Sequence, residues 1–78
     1  MEDFLFDLEL KKKIGARLKD ARHVAHYTQT EVGAKLGMSQ QQYSRFENGV
    51  FELNYNQIIY LCKLYDISTD YLFGLKEF

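Results

Sequence analysis

Apolar residues along this chain recur at helical rather than alternating spacing. Ile14, Leu18, Ala21 and Ala25 follow one another at steps of four, three and four. That spacing draws one apolar stripe along a helix over about residues 10–26, with Lys11, Lys12, Lys19 and Arg22 largely off it. Thr28-Gln29-Thr30-Glu31 has the form of a capping box, in which the Thr28 hydroxyl accepts the Glu31 amide while the Glu31 side chain reaches back. A second helix therefore starts there, with Val32 and Leu36 as its apolar pair and Gly37 as a left-handed turn after it. Ser39-Gln40-Gln41-Gln42 is a second box and predicts a short helix over about residues 40–47. Tyr43 and Phe46 mark its buried side, and Asn48-Gly49 ends it. A third box, Asn54-x-x-Gln57, opens a helix whose apolar positions Tyr55, Ile58, Ile59, Cys62 and Tyr65 keep the period. Ser68 caps a last, brief helix carrying Tyr71, Leu72 and Leu75. Proline is absent and no alternating β-branched stretch suggests a sheet. The pattern predicts an all-α fold, a compact five-helix bundle over residues 10–78, behind an acidic N-terminal extension at residues 1–9.

The second and third helices are separated only by Gly37-Met38-Ser39, too short for an antiparallel hairpin. Their axes must cross steeply, which brings the backbones close. Gly33 supplies the small residue this needs in mid-helix, although glycine there costs roughly 1 kcal/mol relative to alanine. Val32, Leu36, Met38, Tyr43 and Phe46 then converge inward. Such an arrangement is a helix-turn-helix.

Composition narrows the class without naming it. Seventy-eight residues make one domain, and 46% hydrophobic residues with six Tyr and six Phe exclude disorder. One cysteine excludes an intrachain disulfide, and with two histidines it falls short of a four-ligand zinc set. No apolar run reaches the roughly 18 residues of a membrane span, and the start at Met1-Glu2-Asp3-Phe4 is acidic where a signal peptide is basic. A cytoplasmic protein with no membrane role is expected. The net charge of −1 hides a strong segregation. Residues 1–9 carry −4, residues 10–46 carry +6 and residues 47–78 carry −3. A basic middle between acidic ends presents a local field suited to a polyanion.

Longer stretches now add up. Ile14-Gly15-x-Arg17-Leu18-x-x-x-Arg22 is followed by Thr28-Gln29-x-Glu31-Val32-Gly33-x-Lys35-Leu36-Gly37-Met38-Ser39. Tyr43-Ser44-Arg45-Phe46-Glu47-Asn48-Gly49 comes next, then Ile58-x-x-Leu61 and Leu64-Tyr65-Asp66-Ile67-Ser68-x-Asp70-Tyr71-Leu72-x-Gly74-Leu75. In this order the chain resembles the Cro/phage-repressor type helix-turn-helix (XRE) family over about residues 11–75. The resemblance implies a lambda repressor-like DNA-binding domain whose second motif helix enters the major groove. With Tyr43 and Phe46 inward, Gln40, Gln41, Ser44 and Arg45 share the opposite side and are the candidate base readers. A glutamine amide can give and accept one hydrogen bond at an adenine edge, and an arginine fork suits guanine. Gln29, at a helix start where free amides can hold a phosphate, is by resemblance a backbone contact that buttresses Gln40. Lys35, Arg17, Lys13 and Asn48 are further phosphate candidates. The resemblance also implies an ion pair between Arg22 and Glu47 that ties the first helix to the end of the reading helix.

The expected function is a sequence-specific regulator of transcription that binds double-stranded DNA, a dimeric repressor on a pseudo-palindrome. The alternative is an antitoxin or other protein-interaction module of the same fold, which neutralises a partner protein and binds DNA secondarily. Relatives often carry basic residues after the reading helix, whereas Gly49-Val50-Phe51-Glu52-Leu53 has none. That points to modest backbone affinity and a larger share for dimer avidity. His23 and His26, three apart, have no third ligand of comparable quality, and Cys62 falls on an apolar stripe. No metal, cofactor, small-molecule substrate or catalytic constellation is expected. Phe4, Leu5 and Leu8 form an apolar patch in the acidic extension. Leu61, Leu64, Phe73, Leu75 and Phe78 exceed the evident needs of one small core and are candidates for a twofold interface.

Overall fold

The period and the three boxes carry over into backbone. The computed structural model describes residues 2–77, and side-chain surroundings for residues 8–77. Its helices are α1 (Glu2–Val24), α2 (Gln29–Lys35), α3 (Gln40–Glu47), α4 (Tyr55–Tyr65) and α5 (Thr69–Leu72), with no strand among the described residues. All three boxes form with both reciprocal bonds, at Thr28, Ser39 and Asn54.

The first helix departs from expectation at both ends. It begins at Glu2 rather than near residue 10, so the helix runs unbroken through the acidic stretch. It stops at Val24, two residues early, because His26 adopts the left-handed conformation at φ 64°. The Tyr27 amide then donates back to the Arg22 carbonyl and closes the end. His23 and His26 consequently do not share a helical face. Of the Phe4-Leu5-Leu8 patch, Phe4 and Leu5 lie outside the residues with described side chains, and Leu8 is exposed.

One core gathers Leu18, Ala21, Val32, Tyr43, Phe46, Leu61, Cys62, Tyr65 and Leu72, flanked by half-buried Ile14, Leu36, Met38 and Ile58. Leu61 is fully buried and so belongs to this core, not to a surface interface. Leu64 and Phe73 are half-buried, Leu75 is exposed, and Phe78 lies outside the described residues. Tyr55 and Ile59, expected on the inward stripe of α4, are exposed instead. Ile59 is rotated off the line of Leu61, Cys62 and Tyr65, and Tyr55 stands on the first turn, ahead of the covered part of the helix.

Two glycines set the helix crossings. A Cβ on Gly33 would sit 2.9 Å from the Met38 carbonyl oxygen and 3.0 Å from that of Ser39, so α2 packs directly on the turn that starts α3. The tighter approach is at Gly15 of α1. A Cβ there would collide with the Glu47 carbonyl oxygen and lie 2.6 Å from that of Phe46. Helix α1 thus rests its backbone on the last turn of α3.

Candidate nucleic-acid interface

Helix α3 buries Tyr43, Phe46 and Glu47 and exposes Gln40, Gln41, Gln42 and Arg45. The 3.6-residue period forces that division once Tyr43 and Phe46 point inward. Behind the exposed side a chain of polar groups runs into the core. Arg22, only 7% exposed, forks onto Glu47, with Nε to Oε2 at 2.7 Å and Nη2 to Oε1 at 3.1 Å. Its Nη1 donates to the Tyr27 carbonyl at 3.0 Å. Gln29 Nε2 donates to Glu47 Oε1 at 2.9 Å, and Gln40 Nε2 donates to Gln29 Oε1 at 2.5 Å.

This chain has a direction. Ionised Glu47 can only accept, so Gln29 must turn its NH2 inward and its oxygen outward. That oxygen can only accept, which turns one N–H of Gln40 toward it. Gln40 is left with one free N–H and its carbonyl oxygen on the exposed side, a donor and an acceptor side by side. Burial pushes Glu47 toward the neutral form, but bonds from Arg22, Tyr43 and Gln29 outweigh it and hold the carboxyl below the ordinary range. The bond to Glu47 correspondingly raises Arg22 further. Burial lifts the Tyr43 hydroxyl well above the ordinary phenol value, and Tyr65, bonded to it at 2.7 Å, is pushed up to about 12.

The remaining sequence candidates are distributed unevenly. Gln41 is exposed, while the Ser44 hydroxyl donates to the Gln41 carbonyl at 2.8 Å and has only its lone pairs left to offer. The Arg45 guanidinium lies 5.4 Å from the Phe51 ring centre, a cation–π contact that restrains it beside α3. Gln42 is consumed by the capping box, its Oε1 accepting the Ser39 amide at 2.9 Å. At the start of α2, the box takes up the Glu31 amide through Thr28 and leaves the Gln29 and Thr30 amides facing outward. Lys35 is exposed with its ammonium 5.7 Å from the Tyr27 ring centre, and Asn48 is exposed at the end of α3.

Lys13 and Arg17 lie elsewhere. They line a hollow of about 270 Å³ with Glu9, Leu10, Phe73, Gly74 and Leu75. The Arg17 guanidinium packs against Gly74, beyond the end of α5. Neither is brought to the side of α1 that meets α3. That side carries Lys12, whose Cα would be 2.8 Å from a Cβ on Gly49, just past the end of α3. Lys12 was not among the phosphate candidates read from the sequence, although Lys12, Gly15, Lys19 and Arg22 are spaced three, four and three apart and so share one face. Among the described residues, no three His, Cys, Asp or Glu side chains gather to hold a metal, and no helix is long and apolar enough to cross a membrane.

The sequence of this chain has relatives among known proteins. A family described as helix-turn-helix matches residues 18–72. The HTH-type transcriptional regulator ImmR of Bacillus subtilis (strain 168) is 39% identical over 64 residues, covering 82% of this chain and 50% of ImmR. YobD of the same strain, described as an uncharacterised HTH-type transcriptional regulator, is 28% identical over 61 residues, covering 78% of this chain and 54% of YobD. The ImmF control region 10 kDa protein of Bacillus phage phi105 is 50% identical over 38 residues, covering 49% of this chain and 42% of its own. The chain therefore spans about half the length of the curated relatives it matches.

Proposed function

The chain belongs to this helix-turn-helix family, and from that premise we propose that it is a sequence-specific double-stranded DNA-binding regulator of transcription, a dimeric repressor. The observation that carries the reading is the ordered pair of groups on Gln40, one N–H and one oxygen, held outward by Gln29 and Glu47. That pair matches the N7 acceptor and N6 donor of an adenine in the major groove. Gln41 and Arg45 extend the same face, the arginine suited to guanine, and Ser44 adds an acceptor. The regulator names of ImmR and YobD agree with this role.

Phosphate contacts fall to the outward amides and side chain of Gln29, to Lys35 and to Asn48, with Lys12 added beside the loop after α3. Lys13 and Arg17, beside Gly74 past the end of α5, stand apart from this set. Such contacts set register and salt-sensitive affinity, while the α3 face sets sequence. In a dimer two α3 helices about 34 Å apart read a pseudo-palindrome across one turn of duplex.

Selection of bound duplexes from a random pool tests the reading. An adenine-containing motif should emerge, and Gln40→Ala should cost about 1–3 kcal/mol and relax preference at one base pair. Lys35→Ala should instead weaken every duplex alike and flatten the salt dependence. A pool that yields no motif overturns the assignment in favour of a protein-interaction module.

A further inference from the structure

Helix α4 is apolar on two sides. Ile58, Leu61, Cys62 and Tyr65 pack on the core, yet Tyr55 is 86%, Ile59 53% and Tyr60 39% exposed. A surface helix confines its apolar residues to one stripe, so a second set of exposed apolar side chains marks a face that a partner can cover. The reading face lies on α3 and leaves this second side of α4 unused.

The charges along it say what covers it. Glu52 stands just ahead of the start of α4 and Lys63 near its end, both exposed, and Tyr55, Asn56, Ile59 and Tyr60 between them are exposed and uncharged. An antiparallel approach of two copies sets the start of one α4 against the end of the other. A twofold axis passing between Gln57 and Ile58 then pairs Glu52 with the partner's Lys63, Tyr55 with the partner's Tyr60, and Asn56 with the partner's Ile59. All three pairs are centred on that one point, as an isologous contact requires. A parallel approach would face Glu52 with a second glutamate and Lys63 with a second lysine. The Glu52 carboxylate lies 3.8 Å from Lys11 with its side chain still 77% exposed, so it can meet another cation. An uncharged, tyrosine-rich centre with opposite charges at its rim has the anatomy of a specific interface.

We propose that two copies of this chain dock through the outer face of α4, antiparallel, in the register Glu52 to Lys63. This deepens the dimeric regulator reading and rests on it. Sedimentation of the full chain and its variants tests the register, with half-site and full-site duplex titrations alongside. The wild type should dimerise, and Ile59→Asp should weaken association at least about tenfold. Glu52→Lys and Lys63→Glu should each weaken it about two- to fivefold. A mixture of those two variants should form the mixed dimer in preference, because both rim pairs are then opposite in charge, and the double variant should recover. Self-association of Ile59→Asp at wild-type strength, or no preference in the mixture, overturns the proposal. A monomeric wild type that still selects one half-site overturns the docking and leaves the DNA reading intact. A charge-swappable dimer that selects no duplex keeps the docking and removes the DNA reading.

Discussion

Gln40 acquires its chemistry from half-buried and buried residues behind it. Its amide is ordered by Gln29, Gln29 by Glu47, and Glu47 by the fork of Arg22. Gln29→Ala should therefore leave the fold intact and yet blunt base preference at the Gln40 position, because the amide is freed to turn. Binding-site selection with this variant checks it, and unchanged preference would show that the order is not transmitted. Arg22→Met removes the cation and strands a carboxylate whose side chain is 1% exposed. A loss of about 3–5 kcal/mol is expected in urea unfolding, with much of it recovered by adding Glu47→Leu. From the sequence, the identities of these residues and the pairing of Arg22 with Glu47 were legible through family resemblance. The direction of the relay was not, since amide order depends on side chains 11 and 18 residues apart meeting in space.

The starts of α2, α3 and α4 were the most legible feature, because each capping box is a local device that needs only four neighbouring residues. Ser39→Ala should accordingly lower stability by about 1 kcal/mol, measurable by thermal or urea melting, and fray the turn that bears Gln40. Crossings between helices were less legible. Gly33 could be assigned from the length of the turn alone, whereas nothing local marks Gly15 as the site where α1 lies on the Phe46 and Glu47 carbonyls. Gly15→Ala should cost about 1–3 kcal/mol or more, since backbone carbonyls cannot move aside as a side chain can. Its urea midpoint should fall accordingly, and a midpoint unchanged from wild type would refute the close approach.

Across the whole molecule, stability should form a dome in pH with a named group on each flank. Glu47 has its folded pKa below the ordinary 4.5, so its contribution is complete above that value and is lost as pH falls through the folded one. Tyr65 keeps its proton to about 12 when folded against an ordinary 10.0 when unfolded, so stability falls as pH rises above about 10. Urea midpoints should show a flatter acid limb for Glu47→Gln and a flatter alkaline limb for Tyr65→Phe, each measured against wild type. A wild-type acid limb in Glu47→Gln would assign the acid sensitivity to other carboxylates.

What the sequence determined by itself was local and periodic: five helices, four of their starts, the helix-turn-helix and the outward side of α3. Those follow from capping chemistry and from a period of 3.6, which short stretches of chain settle on their own. Tertiary structure decided the rest. It placed Lys12 rather than Arg17 on the side of α1 that meets α3, buried Leu61, and left Tyr55 and Ile59 uncovered. The rotation of a helix about its axis is fixed by what packs against it, and α1 and α4 each carry more apolar and charged positions than one neighbour can sort.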